Sequence, residues 1–151
     1  MQSSSKAERS AAYRESARSV AAALLGFTLQ AASVLPQNPN AEAQPLGFMA
    51  FKERATASRK ELYFISLAGE WFALETEESP SAIALARKTL LAEVTTEPET
   101  DEIAFNLQFL LENYSEAIFG LADELIRRKI MNGSECGKII QSFRPRSGQK
   151  H

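Results

Sequence analysis

The feature that most constrains this chain is an apolar stripe running from Ile103 to Leu125. Ile103, Leu107, Leu110, Leu111, Tyr114, Ile118, Leu121 and Leu125 recur at three- and four-residue steps. That spacing gathers them on one face of a helix. It predicts a long helix capped by Thr100, after a break at Glu97-Pro98, and running to about Met131, with Asn132-Gly133 ending it. Other segments share the period. Residues 6–25 bring Tyr13, Ala17, Val20, Ala21 and Leu24 together, leave Glu8, Arg9 and Ser16 off the stripe, and stop at Gly26. Residues 58–74 carry Leu62, Ile65, Ala68 and Phe72, with Phe64 and Trp71 widening the face. Ser79-Pro80 pairs a cap with a first-turn proline and opens a helix through Ile83, Ala86, Leu90 and Val94. Ser134 caps a last short helix holding Ile139, Ile140 and Phe143.

Two segments depart from this period. Residues 27–34 alternate loosely and read as a short strand. Residues 46–51 read as a second strand paired with it, across an irregular loop marked by Pro36, Asn38, Pro39, Asn40 and Pro45. The expected fold is therefore mainly α: a compact helical bundle with a small two-stranded β element between the first and second long helices. One domain spans residues 6–143, between a flexible N-terminus (1–5) and a flexible basic tail (144–151) bearing Arg144, Arg146 and Lys150.

Composition removes several chemistries. In 151 residues there is one cysteine, Cys136, and one histidine, His151, at the last position. No internal disulfide can form, and no folded histidine is available as ligand, base or triad member. Cys136 lacks a base and reads as an ordinary thiol. Ser16 and Ser19 flank Glu15 but likewise have no base beside them. The 17 basic side chains are dispersed and outnumbered by 19 acidic ones, a net charge of −2, so no nucleic-acid surface is expected. The longest apolar run, residues 20–29, is about half the roughly 20 residues that a membrane span requires. Its flanks, with Glu8 and Glu15 preceding it, do not suit a signal peptide, so the expected setting is cytoplasmic.

The order of segments nevertheless resembles a known family. Ala12-Tyr13-Arg14-Glu15-Ser16-Ala17-Arg18-Ser19-Val20-Ala21-Ala22-Ala23-Leu24-Leu25-Gly26 is similar to the zinc-binding helix, approximately A-Y-H-E-A-G-H-A-V-V-A-x-L-L-G, of the FtsH-type ATP-dependent metallopeptidases. Leu67-Ala68-Gly69-Glu70-Trp71-Phe72-Ala73-Leu74-Glu75 resembles that family's L-A-G-R-A-A-E-E-L segment. Residues 82–90, ending Ala86-Arg87-Lys88-Thr89-Leu90, resemble its A-T-x-I-A-R-x-M-V helix, and residues 110–140 its closing helices. Only the peptidase part is matched. No G-x-x-x-x-G-K-[ST] phosphate loop occurs, so no ATP site is expected.

The departures bear on function. In H-E-x-x-H two imidazoles four residues apart grip one zinc ion, and the glutamate takes a proton from metal-bound water. Here Arg14 and Arg18 stand at the histidine positions and only Glu15 is kept; the family's third ligand falls near Glu78. A guanidinium is always protonated and offers no lone pair to a cation, so neither zinc nor another cofactor is expected. Three readings of the trio follow. It is a surface charge pair between Glu15 and Arg18; or Arg14 and Arg18 fill the vacated pocket and bridge to Glu78, or to Glu75 and Glu77, as an ionic replacement for the metal; or the arginines bind an anion.

The expectation is a pseudo-peptidase that binds protein, itself or another. The alternatives are an active metallopeptidase with unusual or partner-supplied ligands, and a structural helical module. By analogy with the family, residues 46–51 would offer a strand edge to an extended chain.

Overall fold

A computed structural model describes residues 6–36, 46–52, 58–74, 85, 88 and 97–143. The order of elements is α1 (Lys6–Leu24), β1 (Thr28–Pro36), β2 (Leu46–Lys52), α2 (Arg59–Ala73), α3 (Glu97–Arg128), β3 (Ile130–Asn132) and α4 (Gly133–Ser142). The chain is mostly helical. Its strands form one antiparallel sheet in the order β2-β1-β3. The expected termini, residues 37–45 of the expected loop and all of the Ser79 helix except Leu85 and Lys88 lie outside the described residues; Pro36, expected in that loop, instead ends β1 opposite Leu46.

α1 is the centre of the molecule rather than an amphipathic surface helix. Ala11, Ala12, Glu15, Ser16, Ala17, Ser19, Val20, Ala21 and Ala22 are all buried, and the helix touches α2, α3, β1 and β2. Small side chains make this possible, because Ala and Ser let neighbouring elements close in on every face. The expected stripe is corrected accordingly: Ser16 lies in the interior, whereas Leu24 is 43% exposed. The helix ends as Gly26 suggests. Gly26 has φ +85°; its N–H donates to Ala23 O, and the Phe27 N–H donates to Ala22 O. These two bonds close a Schellman motif.

β1 and β2 pair in antiparallel register, with Ala32 opposite Met49 and Ser33 opposite Phe48. Phe27 and Phe51 stack over the open end of the hairpin at 5.2 Å. α2 begins at a capping box in which the Ser58 hydroxyl accepts from Glu61 N and the Glu61 carboxylate accepts from Ser58 N. Its Ile65, Ala68, Trp71 and Phe72 are buried. On α3, Ile103, Leu107, Leu110, Ile118, Leu121 and Leu125 are buried, as their spacing predicts.

Both ends of α3 differ from the expectation. The helix starts at Glu97, so Pro98 occupies its first turn, where a missing N–H costs nothing. Thr100 lies within the helix rather than capping it. At the other end α3 stops at Arg128, because Lys129 takes a left-handed φ of +74°. The Lys129 carbonyl then accepts from Val34 N at 2.9 Å and Ser33 Oγ at 3.1 Å. Residues expected in the helix instead form β3, with Met131 opposite Ala32. The sheet therefore has three strands, and β1 is central.

The last helix is capped by Asn132, not Ser134. The Asn132 side chain accepts from Glu135 N at 2.8 Å, and the Glu135 carboxylate accepts from Asn132 N at 2.9 Å. Gly133 fits because a Cβ there would stand 1.8 Å from the Leu29 carbonyl oxygen; at Gly137 it would meet nothing within 4 Å. Gly133→Ala should cost about 2–3 kcal/mol by forcing β1 and α4 apart. Gly137→Ala should stabilise by about 0.5–1 kcal/mol through helix propensity. Urea unfolding of the two variants beside the parent measures both.

Candidate functional site

Glu15 is the one buried carboxylate among the described residues, 1% exposed in the middle of α1. A lone ionised carboxylate in such a place costs several kcal/mol, about 3–5 by the measure of broken buried pairs. It is compensated from both sides. Arg14 Nε donates to Glu15 Oε2 at 2.9 Å, and Arg18 Nη1 donates to Glu15 Oε1 at 2.7 Å. Each oxygen thus has its own guanidinium. The arginine side chains are 23% and 29% exposed, so the pairs are partly screened. The Ser19 hydroxyl donates to the Glu15 carbonyl at 2.8 Å, one turn back.

Two glycines let other elements reach this trio. Gly47 of β2, at φ +89°, comes so close that a Cβ there would lie 3.1 Å from Ala11 Cβ and 3.3 Å from Glu15 Oε2. Gly69 of α2 lies under the arginine stems. A Cβ there would stand 2.6 Å from Arg18 Cγ, 2.7 Å from Arg18 Cδ and 3.0 Å from Arg14 Cγ. The arginines therefore contribute packing as well as charge. Arg18 Nε is shielded from water and meets no acceptor among the described residues, and the buried Ser16 hydroxyl meets none either.

This geometry sorts the sequence readings. Arg14, Glu15 and Arg18 do come together, and the Glu15–Arg18 pair forms at the expected spacing. It is not a surface pair, however, because α1 is enclosed. The bonds that join Arg14, Glu15 and Arg18 lie within α1, and α2 meets the arginine stems at Gly69. Glu78, with Glu75 and Glu77, lies outside the described residues. Sequence reasoning did not name Gly47 or Gly69 as parts of the site. Gly69 had a signal, since it is the glycine of the Leu67-Ala68-Gly69 match.

The zinc site that the resemblance implies is not matched by the described residues: two fixed cations, Arg14 and Arg18, stand where it would place imidazoles, and they hold both oxygens of Glu15. Among the described residues no three His, Cys, Asp or Glu side chains converge as a metal site. Cys136 offers no nucleophile: it is 1% exposed, and burial, with the Glu135 carboxylate beside it, pushes its thiol up to about 11. No protein-family model matches the chain, and no curated protein matches it.

Gly69→Ala should destabilise the fold by about 1–3 kcal/mol, and the cost should shrink in an Arg18→Ala background where the Cβ has room. Thermal and urea unfolding of the single and double variants check this. Cys136 should react with iodoacetamide at pH 8 far more slowly in the folded chain than in guanidinium, with the folded rate rising as pH climbs towards 11.

Proposed function

We propose that this chain is a catalytically silent, metal-free domain akin to the FtsH-type peptidase domain, retained for binding protein. The observation that carries the reading is the capture of Glu15. In an H-E-x-x-H site the glutamate must be free to accept a proton from metal-bound water. Here each of its oxygens already accepts a charge-assisted hydrogen bond from an arginine standing at a ligand position. The order of elements supports the kinship: a motif-bearing helix, then a hairpin, then further helices, as in the segments that carry the resemblance.

The binding role rests on β2. It is an outer strand of the sheet, and Gly47 on it abuts Glu15. In the family a strand in this region holds extended substrate by backbone pairing; the same edge here would hold an extended segment of a partner without cutting it.

Purified protein should contain no stoichiometric transition metal and should leave casein intact. Arg14→His combined with Arg18→His, checked for folding by circular dichroism, should acquire zinc at one ion per chain. A native transition metal removed together with a chelator-sensitive casein activity would overturn the proposal. A folded double variant with no zinc affinity would count against the kinship.

A further inference from the structure

Away from the trio, the C-terminal end of α1, the start of α2 and the first half of α3 enclose an open apolar groove of about 240 Å³. Leu24, Leu25, Phe64, Ile103, Phe109 and Leu110 line it. Several of the chain's large exposed apolar side chains belong to these helices: Leu24 is 43%, Phe109 49% and Phe105 70% exposed. Phe105 and Phe109 are four residues apart on α3 and so share a face. Exposed phenylalanines beside an apolar hollow are costly to leave in water, and such patches mark binding surfaces. The polar members of the lining are Glu61 and Asn106.

Charge selects the occupant. From Glu97 to Ile126, α3 carries no Lys or Arg, while Glu102, Glu112 and Glu116 on it are exposed. Glu112 and Glu116 lie mid-helix, where the helix dipole gives acids no support. The basic pair Arg59-Lys60 directly precedes the lining residue Glu61 at the start of α2, so the acidic side of the groove is its α3 wall. An apolar groove bounded by an acidic helix complements an amphipathic helix with a basic flank. We propose that this groove is a docking site for a basic amphipathic helix of a partner protein, separate from the β2 edge. Phe105 and Phe109 would be its aromatic anchors, and the α3 carboxylates would steer the partner's lysines or arginines.

The test uses a fluorescein-labelled amphipathic Lys/Leu helix peptide and a Glu/Leu peptide with the same apolar face. Anisotropy titration should show binding of the Lys/Leu peptide and much weaker binding of the Glu/Leu one. Phe105→Ser with Phe109→Ser, two exposed positions whose replacement leaves the core intact, should weaken binding about tenfold or more. Glu112→Lys with Glu116→Lys should weaken the Lys/Leu peptide and favour the Glu/Leu one. Equal affinity for the two peptides, or unchanged binding by the phenylalanine variant, would overturn the proposal. So would a concentration-dependent dimer lost in that variant, which would make a second copy the occupant. Failure of the Lys/Leu peptide to bind, with the phenylalanine variant markedly less stable than the parent, would assign the groove to the chain's own residues and equally overturn it. None of these outcomes depends on whether the Arg14–Glu15–Arg18 trio excludes zinc.

Discussion

A carboxylate buried in the central helix needs positive charge close by, and the organisation around α1 follows from that need. Glu15 sits where water cannot reach it, so its charge is tolerable only because Arg14 and Arg18 place an N–H on each oxygen. The arginines in turn must cross from the helix surface inward, and their stems need floor space. Gly69 supplies it on α2, and Gly47 allows β2 to approach from the other side. One charged group thus constrains a helix, a second helix and a strand together.

The same arrangement is what the proposed loss of peptidase chemistry rests on. A zinc site of the H-E-x-x-H kind uses two neutral nitrogen donors and one free base. Here two permanent cations hold the only buried carboxylate among the described residues, and their guanidinium and methylene groups fill the space around it. Close packing at Gly47 and Gly69 contributes to the cohesion between α1, α2 and β2.

Much of the fold was legible because its signals are local. The α3 stripe gave the buried face of the longest helix, and Gly26 gave the end of α1, each from a period or a single backbone requirement. The hairpin of β1 and β2 was legible from alternation. What stayed hidden was set by tertiary context. β3 is three residues long and follows a helical run, so only the left-handed turn at Lys129, stabilised by its carbonyl's bonds to β1, reveals it. The enclosure of α1 was hidden because alanines and serines carry almost no periodic signal, and a helix built of them can be buried on any side. At the site, three-residue spacing was enough to expect the Glu15–Arg18 pair, whereas the bond from Arg14 to the same carboxylate was not foreseen. The depth of Glu15 and the supporting glycines depend on which elements pack there, which spacing along the chain does not encode.

The most direct test is the energetic coupling between Glu15 and Arg18. Unfolding free energies would be measured for the parent, Glu15→Gln, Arg18→Gln and the double variant, at neutral pH and moderate salt. The account expects each single substitution to be destabilising and the pair to be non-additive by about 1–3 kcal/mol, because the two side chains share one buried interaction. Effects that simply add, within about 0.5 kcal/mol, would mean that the carboxylate does not depend on the arginine, and the account of this site would fail.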